Sequence, residues 1–379
     1  MTFRWRRTAF GAMVTLCVCL LGVVSAARQA GPAPAQQMSE EVFQDIQVLK
    51  GMPADEFMDT MGMFAASLLY DCTGCHDPDI LIDRSLFANP TPRIQRARQM
   101  VVMVNALNRT YFGGEPRVTC FTCHRGTGAP DNIPDLTLQY GDGPSLDPNR
   151  MRIFPDRRTS VDDVFSRYIE ALGGADRLAA LTSFVSTGTH LGFNTGQERV
   201  PIEIFASAPD KRATVVQMFD GEAIKTYDGS EAWAAEEWRQ LPLMGFTGGN
   251  LTGARFDALV SFPAGIQAEF SEWQAGYTEI DGEELLVAQG TNPGQLPVNL
   301  YFDESGILVR SVRWASTPVG TVPTQTDYMD YREVAGVRMP FRIVVTWTNG
   351  RNEIELSEVR PNVQIPPVRF ARPAPFAPR

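Results

Sequence analysis

The stretch FRIVVTWTNGRNEIELSEV, residues 341–359, has two runs rich in β-branched and aromatic residues on either side of Asn349-Gly350. Asn-Gly between two such runs is a strong signal for a β-hairpin, because both residues tolerate the backbone of a tight turn. A second turn is predicted from Asp303 to Gly306, again between two apolar runs. We therefore predict several antiparallel strands between residues 183 and 360.

One helix is predicted before these strands, in the segment SVDDVFSRYIEALGGADRLAAL, residues 160–181. Ser160 can cap its first turn, and the two aspartates that follow suit the positive end of the helix dipole. Gly173 and Gly174 are expected to end or interrupt the helix. The pattern predicts a β-rich domain over residues 159–369, mostly an antiparallel half-barrel-like sheet with one leading helix.

Composition divides the rest of the chain. Residues 141–158 are crowded with glycine, proline and charged residues, which predicts a linker. Residues 42–140 are rich in methionine and helical in pattern, and the Pro/Ala/Gln-rich residues 28–41 predict another linker. Residues 370–379 are predicted to be a proline-rich tail, and 241–259 are ambiguous between strand and helix. The predicted fold class is multidomain α + β, with a mainly α-helical N-terminal domain.

Residues 1–27 have the layout of a secretory signal peptide: three arginines, an uncharged apolar run and small residues at the end. An uncleaved membrane anchor is the alternative, because the run is almost long enough to span a bilayer. Both interpretations predict an exported protein, either periplasmic or held at the periplasmic face of the inner membrane. The net charge of -10 argues against a nucleic-acid partner, because phosphate binding needs a basic surface.

The pattern Cys-x-x-Cys-His occurs twice, as CTGCH at residues 72–76 and as CFTCH at residues 120–124. The two copies use four of the 6 cysteines and two of the 3 histidines in the chain. This pattern is typical of c-type haem attachment, with two thioether bonds and one axial histidine. We predict two covalently bound haems, held by the following residues: Cys72, Cys75 and His76 for the first, and Cys120, Cys123 and His124 for the second.

Three other interpretations of the cysteine pairs are weaker. A thiol-disulfide centre needs only Cys-x-x-Cys, so it leaves both histidines unexplained, and structural disulfides in an exported protein leave them unexplained too. A zinc site made from paired Cys-x-x-Cys units has the pairs about 15 to 20 residues apart. The separation between Cys75 and Cys120 is much larger.

Methionine is the expected sixth ligand of each iron, because Met/His ligation is an established form of c-type haem. The helix predicted before the first motif carries an apolar stripe with Met61 at its centre. Met61 can therefore reach the iron from the side opposite His76. Met58 and Met63 lie nearby, and at least two of these three methionines must fill the core.

The helix predicted before the second motif begins at Thr91-Pro92, a capping residue followed by proline at the first helical position. Met100 and Met103 lie beside its apolar side, and spacing alone does not choose between them as the second ligand. The third histidine, His190, lies in the β-rich region and is interpreted as an ordinary strand residue.

Residues 42–135 resemble the cytochrome c subunit of photosynthetic reaction centres. The resemblance lies in the helix before the first motif, the segments ARQMVVM and NRTYF of the next helix, and the run VTCFTCHRG. In that family each methionine ligand lies on the helix before its haem motif, which implies Met61 and Met100 here. The best-known members carry four haems, whereas this chain has motifs for two and lacks the histidine that serves a distal haem.

The β-rich segment, above all residues 330–362, is similar to the half-barrels of periplasmic lipoprotein carriers. This segment has no paired carboxylates, Ser/His/Asp set or phosphate loop. A docking or scaffold role is therefore expected, with a lipid or hydrophobic-ligand cleft as the alternative.

These features predict a periplasmic dihaem electron carrier and not an enzyme, because Met61 and Met100 would leave neither iron an open position. Its partners would be redox proteins, such as a membrane-bound reaction centre or a respiratory complex. Arg98 and Arg125 are candidate partners for haem propionates. The alternatives are a peroxidase-like dihaem enzyme, which needs a vacant iron position, and a ligand-binding β domain with an accessory redox module.

Overall fold

The computed structural model describes residues 36–133, 151, 159–219, 221–236, 241–280 and 282–375. The predicted signal peptide lies outside the described residues, as does the predicted linker 141–158 apart from Met151. Residues 36–379 form one compact unit. No helix in the described part of the chain is long and apolar enough to cross a membrane.

The region around the two cysteine motifs is helical, as predicted. Its four α-helices in the described residues are α1 (Ser39–Val42), α2 (Ala54–Leu68), α3 (Pro92–Tyr111) and α4 (Cys120–His124). Three 3-10 turns lie between α2 and α3: Cys72–Gly74, Pro78–Leu81 and Arg84–Ala88. Thr91 caps α3 as predicted, because its hydroxyl accepts the Ile94 backbone N–H at 3.2 Å.

The leading helix of the β-rich region is confirmed. It is interrupted at Gly173 and Gly174, as the sequence predicts. Helix α5 (Val161–Ala171) is capped by Ser160, whose hydroxyl accepts the Asp163 backbone N–H at 3.4 Å. Gly173 and Gly174 have φ values of 122° and 93°, so the chain leaves the helix and starts α6 (Ala175–Ala180).

The strands in the described residues form one antiparallel sheet of 13 strands. They are β1 (Ser183–Gly192), β2 (Val200–Ser207), β3 (Lys211–Met218), β4 (Gly221–Tyr227), β5 (Ala232–Ala235), β6 (Leu243–Gly245), β7 (Glu272–Ile280), β8 (Glu283–Thr291), β9 (Val298–Phe302), β10 (Leu308–Thr317), β11 (Gly320–Val334), β12 (Val337–Trp347) and β13 (Gly350–Pro361). Their order is β6-β5-β4-β3-β2-β1-β13-β12-β11-β10-β9-β8-β7, so β1 pairs with β13 at the centre and β6 and β7 are the edges.

Both predicted turns are present, one of them shifted by a residue. Trp347 pairs with Gly350, so Thr348 and Asn349 form the loop and Gly350 already belongs to β13. Gly350 is required for a different reason, because a Cβ there would overlap the Trp347 ring. In the second turn, from Asp303 to Gly306, the glycine has a φ of 85°.

The ambiguous stretch 241–259 forms β6 and the helix α7 (Gly248–Leu259). A 3-10 turn (Pro263–Gly265) and a short helix, α8 (Ile266–Glu269), follow. Helix α7 packs against β3, β4 and β5 on one side and against β10 on the other. These strands are far apart in the sheet order, so one short helix can touch them all only if the sheet curves around it. The predicted half-barrel-like architecture is therefore confirmed.

The main core fills the concave side of this sheet. Helix α5 presents Phe165 and Tyr168, which contact Trp273 and Phe302 at ring-centroid distances of 4.8 and 5.3 Å. Residues from both halves of the sheet, such as Ile204 and Leu308, are 1% exposed or less and belong to the same cluster. Burial of these side chains favours the curved sheet, at about 25 cal/mol for each Å² of apolar surface removed from water.

Candidate haem-binding site

The first motif wraps into a tight turn. Asp71 caps the 3-10 turn Cys72–Gly74, because its carboxylate accepts the Gly74 backbone N–H at 3.1 Å. The His76 backbone N–H then donates to the Cys72 carbonyl at 2.9 Å. This winding brings both thiols and the imidazole to one short loop, which is the arrangement that attachment of one haem requires.

His76 is held by a backbone carbonyl from the turn Arg84–Ala88. Its Nδ1 lies 3.1 Å from the Phe87 carbonyl oxygen, and the Phe87 ring contacts the imidazole edge-on at 4.9 Å. Burial lowers the pKa of His76, so the neutral imidazole is favoured. A carbonyl only accepts, so Nδ1 carries the proton and Nε2 keeps its lone pair for a metal.

The second motif repeats this geometry with different partners. Helix α4 is capped at its start by Thr119, which exchanges hydrogen bonds with Thr122. Arg125 follows its last residue and lies in the left-handed region, with a φ of 47°. His124 Nδ1 lies 3.0 Å from the Thr127 carbonyl oxygen. Its Nε2 is thereby also left available, so both predicted axial histidines are oriented in the same way.

All four motif cysteines carry free thiols. Burial raises the pKa of the Cys72 and Cys75 thiols, and it raises the pKa of Cys120 to about 11. Thiols used in disulfide exchange normally have a lowered pKa, so this environment differs from that of a redox dithiol. Among the described residues, no three His, Cys, Asp or Glu side chains converge as a metal site of their own, whereas a zinc site needs such a convergence.

Exposed apolar side chains are concentrated around the two motifs. Eight of the large hydrophobic residues that are exposed lie between residues 69 and 133: Leu69, Ile82, Val102, Met103, Tyr111, Phe112, Phe121 and Ile133. The 20-residue helix α3 buries only Val101, Val104 and Asn108. Exposed apolar side chains that are concentrated in one region are typical of a surface that another group covers. The free thiols, the oriented imidazoles and this surface together fit covalently bound haem.

Helix α2 packs against the rest of the protein through its less apolar side. Its buried residues include Thr60, Gly62, Met63 and Ser67, whereas Met61 in the predicted apolar stripe is only half-buried. A Cβ at Gly62 would overlap Thr348 in the β12–β13 turn. The helix therefore turns its small side to the sheet. Protein covers the stripe around Met61 only in part, since Phe57 stacks on Phe43 and Phe64 packs on the Met63 cluster.

The candidate methionine ligands differ in their environments. Met63 is 6% exposed and packs with Val101 of α3 and Val319 between β10 and β11. It is therefore a core residue, as at least two of the three α2 methionines had to be. Met61 and Met100 are half-buried, and Met103 is 43% exposed. The assignment of Met61 and Met100 as iron ligands stays a prediction.

Both motifs lie near the end of α2. The Gly126 backbone N–H, just after the second motif, donates to the Ser67 carbonyl at 2.9 Å. Tyr70 adjoins the first motif and the turn after the second, because a Cβ at Gly74 would overlap its side chain and a Cβ at Gly128 would overlap its hydroxyl. Helix α2 thus joins the two predicted haem sites.

Charged residues fix this region in place. Asp55 is 1% exposed and accepts hydrogen bonds from Thr247 and Asn250 at the start of α7. Arg98, a candidate propionate partner, forms an ion pair with Asp45 at 2.8 Å, and Arg125 is exposed. The Arg98 hydrogen bond is the main cause that lowers the pKa of Asp45.

Sequence patterns did not indicate three of these features: the anchor Asp55, the contact residue Tyr70, and the carbonyls of Phe87 and Thr127. The two carbonyls belong to the backbone, so residue type carries no signal for them. Asp55 was predicted only as part of a helix. His190, interpreted as an ordinary strand residue, is 4% exposed on β1, and its environment is described below.

Comparison with known proteins places the similarity in the N-terminal region. Residues 22–139 match the family model of the photosynthetic reaction centre cytochrome c subunit. The photosynthetic reaction center cytochrome c subunit of Thermochromatium tepidum is 32% identical over 96 residues, which cover 24% of this chain and 22% of that protein. This chain thus spans only about a fifth of the length of the curated relative that it matches.

Two solved structures are similar to the β-rich region. A LolA superfamily protein from Nitrosomonas europaea is 11% identical with a TM-score of 0.37, and a DUF1329 family protein from Desulfovibrio piger is 12% identical with a TM-score of 0.40. Each match covers 56% of this chain and 98% of the other.

The family-model match and the Thermochromatium tepidum relative both place the N-terminal region close to one family. This region is similar to the cytochrome c subunit of photosynthetic reaction centres, which supports covalent haem binding and an electron-transfer role.

Proposed function

We propose that this protein is an exported, periplasmic c-type cytochrome that holds two haems and carries electrons between protein partners. The observation that carries the proposal is the matched pair of histidines. His76 and His124 each place Nδ1 on a backbone carbonyl, at 3.1 and 3.0 Å, and keep Nε2 for iron. Two independent loops reproduce one ligand geometry, and each loop also carries two free thiols.

The bound haem iron supplies the one-electron chemistry, and the side chains hold and shield it. Each cysteine pair would hold one haem through two thioether bonds, beside the histidine of its motif. Met61 on α2 and Met100 on α3, both half-buried, would supply one sulfur ligand to each iron. Methionine as the second ligand raises the reduction potential. A six-coordinate iron has no open position for substrate, so the proposed role is electron transfer and not catalysis.

The position of both motifs near the end of α2 supports electron transfer within the chain. Tyr70 adjoins the loop of the first motif and the turn after the second. The backbone hydrogen bond from Gly126 to Ser67 fixes this arrangement. The proposed electron path therefore runs through one chain between two adjacent haems, with an external protein partner at each end.

The first test is the mass of the mature protein, made in a host that exports and matures c-type cytochromes. We expect two added haem masses on the wild-type chain. The variant Cys72→Ser/Cys75→Ser should keep one haem, and so should Cys120→Ser/Cys123→Ser. A wild-type chain with four unmodified thiols, or with haem lost on denaturation, would contradict covalent attachment.

The second test separates the ligand methionines from their neighbours. Near-infrared magnetic circular dichroism reports a methionine–iron charge-transfer band for each Met/His haem. Met100→Leu should remove one such band and lower one reduction potential, whereas Met103→Leu should leave both unchanged. Met61→Leu and Met58→Leu form the same matched pair on α2. The ligand assignment is wrong if Met103→Leu loses the band while Met100→Leu keeps it, or if Met58→Leu loses it while Met61→Leu keeps it.

A further inference from the structure

The curved sheet encloses a cavity of about 390 Å³ that is separate from both cysteine motifs. Its walls come from β1–β4 and β10–β13, and it is closed by α7 and by Asp59 of α2. Sites for small molecules typically have volumes of about 300–1,000 Å³. The cavity is therefore large enough for a small organic ligand.

Two arginines face this cavity with most of their hydrogen-bonding capacity unused. Arg212 on β3 donates from Nη1 to Ser261 Oγ at 2.8 Å, which is one of the five donors of a guanidinium. Arg313 on β10 lies flat against Gly253 of α7, where any side chain would overlap the guanidinium. Within the described residues, neither arginine forms an ion pair with a carboxylate at 4 Å or less.

The carboxylates of the cavity are already bonded to other groups. Asp257 pairs with Lys225 at 2.9 Å. Asp59 accepts from Asn250 Nδ2 at 2.7 Å. The charge of Asp257 also interacts with both arginines, and that of Asp59 interacts with Arg313. The two guanidinium groups and Lys225 still outnumber these two carboxylates, and among the described residues neither guanidinium is bonded directly to an anion. Both arginines are half-buried. A partly buried charge without a direct partner is unfavourable, so an anion that enters the cavity would gain from these two groups.

Unpartnered polar atoms add to this site. Ser186 Oγ and His190 Nδ1 on β1, which are 0% and 4% exposed, have no hydrogen-bond partner among the described residues, and neither does Asn352 Oδ1 on β13. Strand register puts Ser186 in one row with Thr214 on β3 and Lys225 on β4, on the face that lines the cavity. Buried polar atoms of this kind normally bond to a ligand or to water.

The remaining walls of the cavity are apolar. Phe184, Ile204, Val216 and Ile343 line it beside the polar groups, so the site offers both an anion-binding end and a hydrophobic surface. A guanidinium binds carboxylate and phosphate oxygens in a bidentate manner, which a neutral head group cannot match. The complementary molecule therefore has one oxyanion group and an apolar body.

We propose that the half-barrel cavity binds a small amphiphilic organic anion, with its oxyanion on Arg212 and Arg313 and its apolar body against the Phe184 side. The head group is a carboxylate or a phosphate ester, which share this chemistry. Binding depends on the β-rich region and not on iron ligation, so it is distinct from the proposed electron-transfer role.

Calorimetric titration of the full-length mature holoprotein tests the proposal with four probes of equal chain length: decanoate, decyl phosphate, decanol and decylamine. We expect at least one anion to bind, decanol to bind at least about tenfold more weakly, and decylamine not to bind. The stronger anion identifies the head group. Equal binding of decanol, or no binding of either anion, overturns the proposal.

Variants locate the binding site. Arg313→Met should weaken anion binding by at least about tenfold, and Arg313→Lys should retain part of it because the charge remains. Arg360→Met removes an exposed arginine of β13 and is the matched control, with no expected change. Thermal unfolding verifies that each variant folds. Equal anion binding by Arg313→Met and the wild type would refute the location of the site at Arg313. If a variant misfolds, the four probes measured on the wild type still decide the proposal.

Discussion

Asp55 joins the helix of the predicted haem ligand Met61 to the β-rich region, and its replacement should destabilise both. The side chain is 1% exposed. Its carboxylate accepts the Thr247 backbone N–H at 2.7 Å, the Thr247 hydroxyl at 2.9 Å and Asn250 Nδ2 at 3.3 Å. Thr247 is the N-cap residue of α7, so one carboxylate at the start of α2 organises the start of another helix.

The magnitude follows from these three bonds. A hydrogen bond to a charged group contributes about 1.5–3 kcal/mol, and a buried donor left without a partner costs about 1–3 kcal/mol. Water that enters the vacated space, and relief of the buried charge, recover part of this loss. We expect Asp55→Ala to lower the free energy of unfolding by about 3–4 kcal/mol. Asp55→Asn keeps one acceptor oxygen and should cost about 1–2 kcal/mol.

Denaturant titration of the mature protein measures this effect. Soret absorbance reports the haem environment, and far-ultraviolet circular dichroism reports the sheet. Because Asp55 bridges the two regions, both signals should shift to lower denaturant concentration. Asp79→Ala removes an exposed carboxylate of the same helical region and should cost less than about 0.5 kcal/mol. The reasoning is refuted if Asp55→Ala costs no more than Asp79→Ala.

Three further predictions concern packing and charge. Met63→Ala should lower the free energy of unfolding by about 2–4 kcal/mol in denaturant titration, because Met63 is buried. Met58 is half-buried, and an equal or larger loss in Met58→Ala would contradict this prediction. Gly350→Ala should lower the melting temperature, because its Cβ would overlap the Trp347 ring and such overpacking costs about 1–3 kcal/mol of stability. An unchanged melting temperature would argue against this contact. Burial lowers the pKa of His190 in the folded chain, so the unfolded chain binds the proton more readily and stability falls as the pH drops below about 6.5. Stability measured between about pH 7 and pH 5 should therefore fall less in His190→Gln than in the wild type, and parallel curves would rule this out.

Local signals in the sequence predicted most of the architecture. Thr91 and Ser160 cap their helices as expected, because capping needs only a side-chain oxygen and a backbone N–H three residues later. The glycines at 173 and 174 interrupt the leading helix through their positive φ values. The predicted turn at Asn349-Gly350 is one residue away from the observed loop, Thr348-Asn349. Turn propensity alone does not resolve a shift of one residue in the register.

The docking of the helical region on the sheet was beyond such local signals. Asp55 and Thr247 are 192 positions apart, and their contact exists only after the sheet has curved around α7. The stripe around Met61 was correctly identified as apolar, but apolarity alone does not show whether a stripe faces protein or a bound group. A Cys-x-x-Cys-His motif likewise names the histidine without naming the carbonyl that orients it.

Helix α2 connects these observations. In an ordinary amphipathic helix the apolar side faces the core, because burial of apolar surface stabilises the fold. Here the buried residues are mostly small or polar, such as Thr60, Gly62 and Ser67, and Met61 on the apolar side remains half-buried. Phe43 covers Phe57, and a bound group beside Met61 would complete the cover of the apolar side. Since that side lies beside two loops with free thiols and oriented imidazoles, haem can complete the core of this region while the sheet supports α2 from behind.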